Sequence, residues 1–259
     1  MGEVVEHLAS IDWNALLPFV AIGFAAQIID GALGMAFGLI NSILLVSLLG
    51  VPPAVASANV HAVETFTTAA SGASHIAHKN VDWRLFPRIV IPGVIGGALG
   101  AFVLSSVDAS VAKPFVMAYL AATGLFLLWR AWRGRVEPKS PRVIEPLGLV
   151  GGFLDAAGGG GWGSVVTSNL LIQGAEPRRT IGTVNTSEFF ITLTVSATFF
   201  MTLGWAAFTI QTLGLLAGGL IAAPFAGVVA KRVPTRPLMA AVGVLLTATS
   251  IYTIWAAVT

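Results

Sequence analysis

Long apolar stretches, cut by short runs of glycine, proline or charge, set the rhythm of this chain. They cover about residues 15–30, 34–50, 53–77, 86–105, 111–129, 145–157, 162–174, 178–203, 207–229 and 236–257. A lipid core of roughly 30 Å takes about 20 residues of helix, and most of these stretches approach that length with few charges. The pattern predicts helices that cross a membrane. The segments at 145–157 and 162–174 are too short for a full span, so they are predicted to be half-helices that enter the membrane and return. Their junction reads DAAGGGGWG, residues 155–163, with glycines where a helix would need better formers.

Composition turns the pattern into a class. The chain is 56% hydrophobic and only 10% charged, whereas a soluble domain carries about 25% charged residues. It therefore reads as an all-α polytopic membrane protein. There is no cysteine, which excludes disulfides and thiolate metal sites. The opening MGEVVEHLASIDWN lacks a positive n-region and holds three acids, unlike a cleaved signal peptide.

The net charge of +2 reports topology rather than nucleic-acid binding. If the loops at 75–88, 130–142, 175–179 and 230–236 face the cytoplasm, every Lys and Arg except Lys113 lies on that side. The positive-inside rule then predicts a multi-pass protein of the cytoplasmic (inner) membrane with both termini outside.

The two halves repeat each other. DGALGMAFG (30–38) aligns with DAAGGGGWG (155–163), pairing Asp30 with Asp155, Gly34 with Gly159, Phe37 with Trp162 and Gly38 with Gly163. GVPPAVASANVHAVETF (50–66) aligns with GAEPRRTIGTVNTSEFF (174–190), pairing His61 with Asn185 and Glu64 with Glu188. Five segments per half, an odd number, invert the second repeat relative to the first. The expected organisation is a first repeat at 1–135, a linker at 136–144 and an inverted repeat at 145–259. Inverted repeats with interrupted helices are a common build of secondary transporters, with the substrate at the midplane.

Candidate chemistry gathers at the breaks. A soluble phosphate loop is excluded because no strand precedes the glycines and no Lys-Ser/Thr pair follows them. A helix start offers free N–H groups and a positive dipole end. Gly34, Met35, Ala36, Phe37 and Gly38 in one half, with Gly159, Gly160, Gly161, Trp162 and Gly163 in the other, are thus candidates for an anion site; close packing of helices is the plainer alternative. Asn59, His61, Asn185 and Thr186 add neutral donors, and His61–Glu64 and Asn185–Glu188 have the spacing to meet on one helix face. Glu64 and Glu188 sit near mid-membrane, where an ionisable group is a functional candidate by default. They are read as proton-coupling residues or as caps of freed backbone. Asp30 and Asp155 are read first as caps at the breaks and second as proton carriers. The glycines of 92–102 and 214–223 read as packing surfaces. No metal, cofactor or nucleic-acid site is expected, and the histidines do not form a zinc- or serine-protease constellation.

Two inverted halves, each opening on a glycine-containing break followed by a Pro-marked turn and a polar helix of the VNTSEFF kind, resemble the TauE/SafE family of sulfite exporters. The resemblance spans nearly the whole chain, although SANVHAVE in the first half departs from the GTVNTSE pattern of the second. It implies export of sulfite, a related sulfur oxyanion or an organosulfonate across the bilayer; the residues themselves argue only for a small anion. A secondary transporter is the leading expectation, and an anion channel built on the same dipole-lined site is the alternative.

Overall fold

A computed structural model describes residues 13–33, 35–133, 141–208, 212–222 and 235–258. Its described residues are helical throughout, joined by short turns. Helix α1 covers Trp13–Leu33, and α2 covers Phe37–Ile43 before running on as a π-helical turn at Leu44–Leu48. Then follow α3 (Pro53–Ala77), α4 (Leu85–Ser106) and α5 (Ala109–Trp132). In the second half come α6 (Glu145–Gly158), a π-helical turn at Gly163–Thr167 leading into α7 (Ser168–Ile172), and α8 (Pro177–Leu203). The chain continues through a 3₁₀ turn at Trp205–Ala207 to α9 (Thr212–Ala222) and α10 (Thr235–Val258). The apolar stretch read as 207–229 therefore begins only after that turn, and its end lies outside the described residues, as does Gly34.

Among the described residues, four helices are long and apolar enough to cross a bilayer: Leu85–Ser106, Ala109–Trp132, Arg178–Leu203 and Met239–Ala256. Their outer faces fit lipid. On α4, Ile91, Ile95, Leu99 and Phe102 line one exposed stripe at helical spacing. Gly93, Gly96, Gly97 and Gly100 line the opposite, buried face. Water would not tolerate so wide an apolar patch. Trp83, Trp132, Trp205 and Trp255 are exposed at helix ends, as an aromatic belt requires. The chain is an all-α polytopic membrane protein.

The glycine face explains the packing. A Cβ on Gly96 would overlap the Leu149 carbonyl and press on the Phe153 N–H, so α4 lies backbone to backbone on α6. Gly218 of α9 meets Val20 and Phe24 of α1 in the same manner. Gly93 touches Gly152, and Leu215 touches Gly23. One constant step along the chain carries Gly93 to Leu215 and Gly96 to Gly218; a second carries Gly23 to Gly152 and Val20 to Leu149. The two seams are the same seam, each joining one half to the other.

The long helices α3 and α8 pack side by side in opposite directions. His61 faces Phe199, Thr65 meets Ser196, Thr68 meets Thr192, Gly72 lies on Thr186, and Asn80 receives Arg178. As one number rises the other falls. The α6–α7 pair, by contrast, returns to the side it left. Gln173, just past α7, accepts from the N–H groups of Arg142 and Val143, just before α6, at 2.9 and 3.0 Å.

Candidate functional site: two broken helices in contact

The α6 helix ends because Gly159 adopts a left-handed conformation (φ +81°), and Gly160 and Gly161 continue at φ +133° and +129°. Those angles suit glycine alone among the common residues. The next helix starts at Gly163, and Asp155 prepares it: its Oδ1 accepts from the Trp162 N–H at 2.8 Å. In the first half an aspartate plays the same part. Asp30 Oδ1 accepts from the N–H groups of Ala36 and Phe37, at 2.7 and 3.1 Å, where α2 begins. Each aspartate thus satisfies donors that would otherwise be orphaned at a helix start.

The two breaks meet. A Cβ on Gly38 would lie 2.9 Å from the Gly160 Cα and 2.8 Å from Glu64 Oε1. The Ser42 hydroxyl donates to the Gly159 carbonyl, and the Tyr119 hydroxyl donates to the Gly160 carbonyl at 3.1 Å. Glu64 is 5% exposed, and its Oε2 has no hydrogen-bond partner among the described residues. The remaining carboxyls, Asp30, Asp155 and Glu188, lie close enough to act electrostatically on it.

His61 does not meet Glu64 as their spacing suggested. Its Nε2 lies 3.1 Å from Asp155 Oδ2, with both side chains buried. Its Nδ1 lies 2.8 Å from the Ser57 carbonyl and 3.2 Å from the Ser57 hydroxyl. That hydroxyl already donates to the Ala156 carbonyl at 2.7 Å, so the His61 Nδ1 must carry a hydrogen. Nε2 then either donates to an Asp155 carboxylate or accepts from an Asp155 carboxylic acid. In both cases the pair shares one proton and links α3 of one half to α6 of the other.

The profile of the family described as "Sulfite exporter TauE/SafE" matches residues 19–253. The chain belongs to the TauE/SafE family. It is also 46% identical over 220 residues to a "Probable membrane transporter protein YtnM" of Bacillus subtilis (strain 168), a match covering 82% of this chain and 73% of that one. It is therefore a TauE/SafE membrane transporter, and the crossing of the two breaks is the natural place to seek its site.

Within this TauE/SafE chain, the residues anticipated at the breaks are distributed unevenly. Met35, Ala36, Phe37, Gly38 and Gly159 to Gly163 are all buried around the crossing. Trp162 is packed rather than lining an opening: it is fully buried against Gly93 and Gly151, and its Nε1 donates to the Val184 carbonyl at 3.2 Å. Asn59 turns away, bonding the Val55 and Ala207 carbonyls and accepting from Thr212. Thr186 packs on Gly72 and donates to Gly182, while Asn185 and Glu188 are half-buried on α8. Tyr119 and Ser42 escaped the sequence reading. A tyrosine in the middle of a 24-residue apolar helix was the signal available for the first.

Proposed function

We propose that this transporter exports sulfite or a related small sulfur oxyanion or organosulfonate from the cytoplasm by alternating access. It would do so as two inverted repeats moving about the crossing of their broken helices. The contact of Gly38 with Gly160 carries this reading, because it joins the equivalent breaks of both halves at one point. Its support is threefold: the family, the opposed directions of α3 and α8, and the duplicated glycine seam. Backbone contact at the crossing favours a carrier over an open pore.

The charges there favour coupling to protons. Asp30, Glu64, Asp155 and Glu188 interact around the crossing, and among the described residues the His61 imidazole is the basic group in contact with them, on Asp155. An anion approaches such a cluster readily only when protons occupy it. Protons and anion therefore bind together.

Sulfite flux through reconstituted protein, measured across a pH series, tests this. Glu64→Gln and Glu188→Gln are expected to remove the pH dependence while the protein still folds. Unchanged pH profiles in both variants eliminate the coupling; absence of saturable sulfite flux in the wild type eliminates the substrate class.

A further inference from the structure

A second constellation lies away from the crossing, at the end of the molecule that gathers Arg142, Gln173 and the start of α8. The loop between α3 and α4 is fixed there onto the first turns of α8. Arg178 Nε donates to Asn80 Oδ1 at 2.6 Å and its Nη2 to the His78 carbonyl at 3.3 Å, while the Asp82 N–H donates to the Thr183 hydroxyl at 2.8 Å. Gly182 lets the Asn80 backbone lie directly on α8. Beside this joint is a cavity of about 550 Å³ lined by Arg84, Arg88, Gly174, Glu176, Arg179 and Thr180. An adjoining hollow of about 580 Å³ shares Asp82, Arg84 and Arg179 and adds Lys79.

The charges around this cavity have divided duties. Arg88 is held by Glu145 at 2.5 Å. Asp82 turns to the N–H groups of Arg84 and Leu85, capping α4. Glu176 turns to the N–H groups of Arg178 and Arg179, capping α8. Arg178 is spent on the loop. The Arg84 and Arg179 guanidinium groups have no ion-pair partner among the described residues, and they stand on two walls fastened to each other. Guanidinium forks match the oxygens of a sulfonate, sulfite or phosphate, and paired forks select for them.

We propose that this cavity binds an oxyanion between Arg84 and Arg179. Under the export reading given above, on which this placement rests, it is the capture site at the cytoplasmic mouth. The ligand chemistry is shared by a free sulfur oxyanion and by the phosphate of an anionic lipid. The test uses the full-length protein and the variant Arg84→Gln/Arg179→Gln, with Lys113→Gln at the other end as control. In everted vesicles, the double variant is expected to raise the half-saturating sulfite concentration about tenfold with an unchanged maximal rate. In nonionic detergent, sulfite and phosphatidylglycerol are titrated separately against thermal stability. A rightward shift of the sulfite curve in the double variant supports a free anion; loss of stabilisation by phosphatidylglycerol alone supports a lipid phosphate in the same cavity. If both curves and the flux match the wild type, the proposal is overturned. Because the detergent titrations do not require transport, they separate this outcome from failure of the export reading.

Discussion

The shared proton between His61 and Asp155 ties together residues that the chain holds far apart. Removing one partner leaves the other buried without its complement, a loss of about 3–5 kcal/mol for a buried pair. His61→Gln and Asp155→Asn are therefore each expected to lower the melting temperature in detergent clearly. The double variant is expected to cost less than the two single effects added, since no orphaned charge remains. Strict additivity would show that the two groups do not share a proton. The sequence revealed both residues as candidates but not their partnership. Three residues along a helix leave the side chain about 60° short of a full turn, enough to send Glu64 toward Gly38 and His61 toward α6. Axial position can be read from one sequence; rotation about the axis needs the neighbours.

Among elements, the helix bounds were largely legible because glycine, proline and charge punctuate them. The segment read as 53–77 is α3, and 178–203 differs from α8 by one residue at its start. The return of the α6–α7 pair was legible too, since neither piece could span a bilayer. The packing role of the α4 and α9 glycines was readable from their spacing, whereas their opposite numbers, Leu149 with Phe153 and Val20 with Phe24, were not. Ordinary apolar residues become half of a seam only when backbone meets backbone. Gly96→Ala and Gly218→Ala are each expected to lower stability by about 1–3 kcal/mol, because the added methyl meets main chain that cannot rotate aside. Leu99→Ala, on the lipid-facing stripe, is expected to change the melt little. Equal melts for all three would refute the seam.

At the scale of the whole molecule, orientation is the proposal most open to direct measurement. The chain has no cysteine, so each introduced thiol reports one place. Cysteine at Ser106, at the far end of α4, is expected to react with an impermeant maleimide in intact cells. Cysteine at His78, beside the arginine-rich end, is expected to react only after the membrane is opened. The reverse pattern would turn the transporter over and make the arginine cavity face outward.

The reciprocal seam has a consequence for how the protein is made. Gly93, Gly96 and Gly97 leave the ribosome well before α6, the helix they rest on, has been synthesised. Val20 and Phe24 wait longer still, for α9. The first half therefore spends its early life as an unfinished surface in the bilayer, and the first helix gains its seam only once the ninth has been made. Residues 1–135 and 136–259, produced as separate chains, are expected to accumulate and transport when made together; stable accumulation of either alone would contradict the exchange of partners. Assembly is thus a checkpoint: a truncated product lacks the face that completes it.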